Sequence, residues 1–492
     1  MQKYILALDQ GTSSSRAILF DHDQRIIAVE QKETPQIFPQ PAWVEQDAIQ
    51  IWHNQLEVAQ GVLKQAGITA DAVAAIGITN QRETTIVWDK ISGKPVYNAI
   101  IWQDKRTMDF CNTLKEKGYT GMIREKTGLV PDAYFSASKI SWILQHIPEG
   151  TARAERGELL FGTVDSWLVW NLTGGHLHIT DASNASRTML YDIQNDEWDT
   201  ELLTLFGVPL QMMPRVVNSS EIYGVTEAAL FGGVQIPVAG IAGDQQAALF
   251  GQGCLSAGMA KNTYGTGCFL LMNTGDQRIN SEAGLLTTVA WKLNGHLTYA
   301  LEGSIFHTGS AVQWLRDQLK MIGSADETEA LCAAAGSNGG VYMVPAFSGL
   351  GAPYWDMQAK GIITGITLGT GRAQIVRAVI ESIAYQTCDV LRAMESDSGI
   401  QLQALNVDGG ATKNNFLMQF QSDILGVSVL RPEMIEATAL GAAKLAGLGV
   451  QFWSEEMDLM PQKNIRRYEP VLTEKERSYL YAMWQDAVRR AR

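Results

Sequence analysis

The chain has 492 residues, too many for a single hydrophobic core, so two or more domains are expected. Apolar residues make up 46% and charged residues 18%, the balance of a globular protein, and no stretch is both long and apolar enough to span a bilayer. A net charge of -13 repels nucleic acid and anionic membrane surfaces, so neither is an expected partner, and any phosphate site must be a local exception to that field.

The opening stretch reads YILALDQGTSSSRAILFD, from Tyr4 to Asp21. Two β-prone runs flank a glycine-containing turn, which predicts a hairpin. Its turn is rich in backbone N–H groups and hydroxyls (Thr12, Ser13, Ser14, Ser15), with Arg16 beside it. Consecutive amides in a tight turn make an anion-binding concavity, so the turn suits a phosphate tail; a serine-rich surface turn is the other reading. Asp9 at its mouth is placed to hold Mg²⁺ through water. Arg25 to Glu33 alternates loosely as a third strand. Asp47 to Gly67 reads as a helix capped by Asp47 and stopped by Gly67, with Ile49, Trp52, Leu56 and Leu63 on one face.

Apolar strands are expected at Val73–Thr79, Thr85–Trp88 and Tyr97–Trp102. They deliver Arg82-Glu83 and Gln103-Asp104 at their ends, as the first strand delivers Asp9, and open α/β sheets bind ligands at the carboxyl ends of strands. Phe161 to Pro237 is mixed, with turns at Thr173-Gly174-Gly175 and Asn218-Ser219-Ser220; His176 and His178 there read as surface residues. Ile236 to Asp244 (IPVAGIAGD) is another apolar strand ending in an aspartate, and the domain boundary is expected near residue 250. Met259 to Thr274 then repeats the opening theme of strand, Gly-Thr-Gly turn, strand. Helices are expected over Arg372–Met394, about Thr412–Leu425, Glu436–Leu448 and from Thr473 onward, with a strand at Leu405–Asp408 leading into Gly409-Gly410. The scattered cysteines (Cys111, Cys254, Cys268, Cys332, Cys388) read as reduced thiols of a cytosolic protein, and the chain reaches Asp9 too soon for a signal peptide.

The common nucleotide signatures are missing. There is no G-x-x-x-x-G-K-[ST] and no G-x-G-x-x-G following a strand, so a nucleotide site would be built from the hairpin turns and Gly409-Gly410. Five stretches in order, ALDQGTSSSR, GITNQRETT, GIAGDQQAALFGQ, KNTYGTGCF and VDGGATKNNFLMQFQSD, resemble the FGGY carbohydrate kinases, specifically the members that phosphorylate glycerol. YFSASKISWILQH and Gly361 to Glu381 match the family's general signatures, and the likeness runs from residue 4 to about 455.

The resemblance implies an α/β fold of two ribonuclease-H-like domains, as in actin, sugar kinases and heat-shock ATPases, with an interdomain cleft. Residues 1–250 would hold glycerol and the ATP phosphates, and residues 251–492 the adenosine. It implies a cytoplasmic, ATP- and Mg²⁺-dependent enzyme making sn-glycerol 3-phosphate, the first step of glycerol utilisation, often as a homodimer or homotetramer. In the family's pattern Thr12, Ser13, Ser14, Arg16 and Thr266 meet the phosphates, Gly309, Gln313, Gly410 and Asn414 meet the nucleotide, and Asp9 sits near Mg²⁺. Arg82, Glu83, Trp102, Tyr134, Asp244, Gln245 and Phe269 form the acceptor pocket, with Asp244 as general base. Chemistry agrees: a triol needs donors and acceptors for each hydroxyl and apolar walls for its carbons, and Trp102 and Phe269 supply walls. Taken singly, each aromatic is as readily core, and Arg82-Glu83 a surface ion pair. Some members bind fructose 1,6-bisphosphate through a glycine-rich loop followed by arginine; here Phe231-Gly232-Gly233-Val234 is followed by Gln235. Others are activated by phosphorylation of a histidine in that region, and none occurs between His178 and His296. Neither control is expected. The alternatives are a kinase of a pentulose or another polyol and an acceptor-free ATPase of the same superfamily.

Overall fold

The computed structural model describes residues 2–432, 436–453 and 465–492. The chain forms two compact units. The first takes in Met1–Gly253 and, beyond the expected boundary near residue 250, also Thr287–Tyr299 and Glu436–Met460; the second is Cys254–Leu286, Ala300–Ile435 and Pro461–Arg492.

The first unit is built on a six-stranded sheet ordered Ser220–Val225, Pro237–Gly243, Val73–Asn80, Tyr4–Gln10, Ser14–Phe20, Ile26–Glu33. The predicted hairpin is present, with Ile5 opposite Phe20 and Gln10 opposite Ser15. The three central strands are parallel, and Gln10, Asn80 and Gly243 lie level in register. The first helix runs Ala48–Ala66; Asp47 caps it and Gly67, at φ +67°, ends it. Its buried face is Ile51, Val58, Ala59, Val62 and Leu63, so Ile49 lies off the predicted stripe and is exposed.

One face of this sheet is closed by a helix from far along the chain, Ala437–Gly449. Four glycines let this helix touch other backbone, two at the sheet and two at the helix Asp244–Gly251. A Cβ on Gly77 would lie 2.1 Å from the Ala442 carbonyl oxygen, and one on Gly240 2.4 Å from the Ala446 nitrogen. One on Gly441 would lie 1.8 Å from the Ala247 oxygen, and one on Gly251 2.0 Å from that of Ala437.

Two expectations for the first unit fail. The strand expected over Tyr97–Trp102 shrinks to Ala99–Ile100, because its partner Glu45–Gln46 offers only two residues to pair with. His178 is not a surface residue: its Nε2 lies 2.7 Å from the Phe161 carbonyl, its ring packs edge-on against Trp88, and burial pushes its pKa down to about 4.

The second unit repeats the arrangement of hairpin plus parallel strands. Met259–Tyr264 pairs antiparallel with Cys268–Gly275 and parallel with Ala404–Asp408, which pairs parallel with Ser428–Pro432, and Ile465–Tyr468 follows antiparallel. The 27-residue helix Arg372–Ser398 crosses this unit's core. The C-terminal helix Glu474–Ala491, with its Thr473–Glu476 capping box, docks on it through buried Asp389. Asp389 accepts from Tyr481 (2.6 Å), Trp484 Nε1 (2.8 Å) and Gln485 (2.8 Å). All five cysteines are free and buried. Among the described residues no helix is long and apolar enough to cross a membrane.

Two outcomes follow from these contacts. Gly441→Ala forces a backbone shift and costs about 3 kcal/mol, read as a lower denaturation midpoint of the first unit. Burial pushes the Asp389 carboxyl up to about 6, with the bonds from Tyr481 and Trp484 opposing. The folded state therefore holds that proton more tightly than the unfolded chain, whose carboxyl titrates near about 3.9. Its contribution is full below about pH 4 and is lost as pH rises through about 6. Asp389→Asn flattens that part of the melting-temperature profile, measured between pH 4 and 7.

Candidate active site

The level ends of the three parallel strands bring the first unit's polar residues to one place. Asp9 pairs with Thr79 across two strands, Gln81 to Glu83 follow Asn80, and Asp244 follows Gly243 as the first residue of the helix Asp244–Gly251. Asp244 keeps 31% of its side chain exposed, whereas Arg82 and Glu83 are 2% and 1% exposed. The Arg82 guanidinium lies 3.3 Å from Asp244 Oδ1 and 3.7 Å from Glu83 Oε1, and donates to Gln246 Oε1 at 3.2 Å and to the Tyr134 hydroxyl at 3.5 Å. Trp102 packs edge-on against Tyr134, ring centroids 5.7 Å apart, and its indole N–H donates to Thr12 Oγ1 at 2.9 Å. Gln245 follows Asp244 in the same helical turn, its N–H bonded to Asp244 Oδ1.

Six of the seven predicted acceptor residues thus gather in the first unit. Phe269 belongs to the second, half-buried in Cys268–Gly275 opposite Thr263.

Two residues the sequence reading missed hold this group. Arg187, fully buried, donates to Glu83 Oε1 at 2.6 Å and lies over the Tyr134 and Phe135 rings. Lys139 donates to the Glu83 carbonyl (3.1 Å) and the Tyr134 carbonyl (2.7 Å), and burial lowers its pKa to about 7. The Thr85 and Ser136 hydroxyls add bonds to the Glu83 carbonyl. These bonds secure a glutamate whose φ is +62°, a left-handed conformation that costs a non-glycine residue about 1–2 kcal/mol. Lys139 stood inside YFSASKISWILQH, a quoted stretch with no role attached; Arg187 carried no local signal.

The first hairpin's turn is closed by Gly11 N–H to the Ser14 carbonyl, 3.0 Å, and anchored by Gln46 on the Thr12 carbonyl and by Thr34 N–H on that of Ser13. Ser13 is exposed and Thr12 and Ser14 half-buried, whereas Ser15 points inward to Gln10 and Thr34. Arg16 binds Asp9 and, at 2.8 Å, Glu436. Burial pushes the Asp9 carboxyl above its ordinary pKa and Arg16 opposes this.

The second unit holds a cavity of about 380 Å³, within the range of small-molecule sites. Thr266, Gly309, Gln313, Gly410 and Asn414 all line it. The Gly-Thr-Gly turn is held by N–H bonds from Gly309 to the Gly265 carbonyl and from Ser310 to that of Thr266, 3.1 Å each. Gly309 must be glycine there, since its Cβ would sit 2.5 Å from the Gly265 oxygen. Gly409, at φ +92°, turns the strand end tightly, and a Cβ on Gly410 would meet nothing within 4 Å, leaving room for a flat ring. Asn414 Oδ1 caps the helix Asn415–Leu425 and its Nδ2 bonds Thr328. Arg316, Lys413 and Glu329 also line the cavity, and nothing in their spacing had marked them.

Comparison with known proteins agrees along the whole chain. Residues 4–251 match the N-terminal domain, and residues 260–450 the C-terminal domain, of the FGGY family of carbohydrate kinases. The glycerol kinase of Caldanaerobacter subterraneus subsp. tengcongensis is 60% identical, over 100% of this chain and 99% of its own length. Glycerol kinase 2 of Thermotoga maritima is also 60% identical, over 99% of each chain. The crystal structure of Plasmodium falciparum glycerol kinase with ADP aligns at a TM-score of 0.95 and 37% identity, covering 100% of this chain and 98% of that one. The chain belongs to the FGGY family of carbohydrate kinases.

Proposed function

We propose that this chain transfers the γ-phosphoryl group of ATP to glycerol, giving sn-glycerol 3-phosphate and ADP. The observation that carries the chemistry is Asp244: an accessible carboxylate at a strand end, 3.3 Å from a buried guanidinium that also donates to the Tyr134 hydroxyl, with Trp102 packed on Tyr134. Full-length identity to glycerol kinases at 60% supports the choice of acceptor over a pentulose. Membership of a kinase family supports ATP as the phosphoryl donor.

Arg82 and Tyr134 donate to the glycerol hydroxyls, Glu83 and Asp244 accept, and Trp102 covers the carbon chain. The primary hydroxyl oxygen attacks the γ-phosphorus as the bond to the ADP oxygen breaks, and Asp244 takes the hydroxyl proton. Phosphoryl transfer has a loose transition state, so positioning and charge neutralisation do most of the work. The second unit's cavity binds adenosine through Gly410, Asn414, Gly309 and Gln313, with Thr266 toward the phosphates. Thr12, Ser13, Ser14 and Arg16 serve the phosphates from the first hairpin.

The donor set fits Mg²⁺ in modest form. Among the described residues there is no cluster of three or more His, Cys, Asp or Glu able to cage a metal, and Asp9 would offer Mg²⁺ a hard carboxylate alongside water and phosphate oxygens. Mg²⁺ bound there would neutralise phosphate charge. The raised Asp9 pKa marks a carboxylate that a second cation would stabilise.

Asp244→Asn lowers kcat about 10²–10⁴-fold while leaving the KM for ATP within twofold, measured as glycerol-dependent ADP release. Undiminished turnover defeats the assignment, and ADP release that needs no acceptor favours the ATPase reading. Thr266→Ala raises the KM for ATP several-fold without changing that for glycerol. Gln235 is exposed beside the left-handed turn of Gly232 and Gly233, an amide where bisphosphate-binding members have arginine. Fructose 1,6-bisphosphate at micromolar concentration therefore leaves the rate unchanged.

A further inference from the structure

A lysine that is 0% exposed is costly to fold unless its ammonium finds oxygen partners. Lys139 sits in the helix Ser136–His146 of the first unit, and its partners are main-chain carbonyls rather than a carboxylate. One is Tyr134, five residues back; the other is Glu83, 56 residues back. The helix alone does not need this lysine, since apolar residues of like length fill such positions without a desolvation cost. Nor does the Glu83 carbonyl depend on it alone, because the Thr85 and Ser136 hydroxyls also reach it. What Lys139 adds is the bridge: one nitrogen joins the segment carrying Arg82 and Glu83 to the residue carrying the pocket's phenol.

We propose that Lys139 is a positioning residue of the acceptor pocket, whose side-chain nitrogen ties the main chain of Glu83 to that of Tyr134 so that guanidinium, carboxylate and phenol meet the acceptor in one fixed arrangement. This rests on the acceptor assignment made above. The link acts through backbone that is already strained at Glu83, so its loss lets the loop relax and the pocket's donors spread. The nucleotide cavity lies in the other unit and shares none of these bonds.

The test compares Lys139→Met, which keeps length and loses the donors, with Lys139→Arg, which keeps cationic donors in a longer planar group. Glycerol-dependent ADP release gives both KM values, and thermal melts report folding. Lys139→Met raises the KM for glycerol at least tenfold and leaves that for ATP within twofold, and Lys139→Arg falls between it and wild type. An unchanged KM for glycerol in Lys139→Met, whether or not kcat or melting temperature falls, overturns the proposal. If Lys139→Met does not fold, Lys139→Arg decides: a KM for glycerol raised at least threefold supports the bridge, and a wild-type value overturns it. A wild-type protein that shows no glycerol-dependent ADP release defeats the acceptor assignment itself, an outcome distinct from either.

Discussion

Backbone contact between the helix Ala437–Gly449 and the sheet of the first unit is the constraint on which the rest depends. Gly77 and Gly240 remove the side chains that would hold the helix off the sheet, so it lies directly on two of the parallel strands, while Gly251 and Gly441 let it touch the backbone of the helix Asp244–Gly251. Those strands end level with the first one, and their ends carry Asp9, Arg82, Glu83 and Asp244. A methyl group at the seam would move strand ends, and reacting groups tolerate displacements of only a fraction of an ångström. Through those strand ends the glycines bear on the geometry of the candidate site.

The acceptor side is also an electrostatic arrangement. Arg82, Glu83, Arg187 and Lys139 are all buried, and each is tied to another member or to a carbonyl. Buried charges are tolerated only as a satisfied set, because removing one leaves its partner unpaired in low dielectric. Asp244 differs by keeping about a third of its side chain open. Rigid, enclosed charges around one accessible carboxylate make a preorganised site.

What the sequence disclosed was local. The turn after Asp9, the Asp47 cap, the Gly67 stop and the tight Gly409-Gly410 corner each depend on residues within a few positions, and each appears as read. Of the nine residues assigned to ATP, the five on the second unit, Thr266, Gly309, Gln313, Gly410 and Asn414, line one cavity. What stayed hidden was long-range. Nothing in its alanine-rich pattern says that Ala437–Gly449 completes the first unit. His178 looked like a surface turn residue because Trp88, which covers it, is 90 positions away. Arg187 and Lys139 act on Glu83 from 104 and 56 residues off, beyond any motif's reach.

The late arrival of that helix shapes how the protein is made. About 190 residues separate Gly251 from Ala437, so at cellular translation rates the first sheet waits roughly 10 to 40 s for its cover. Throughout that interval the sheet face carrying Gly77 and Gly240 lacks the helix that covers it in the finished chain. The architecture thus imposes a delay in closing the first sheet that a protein folding strictly from its amino end would escape.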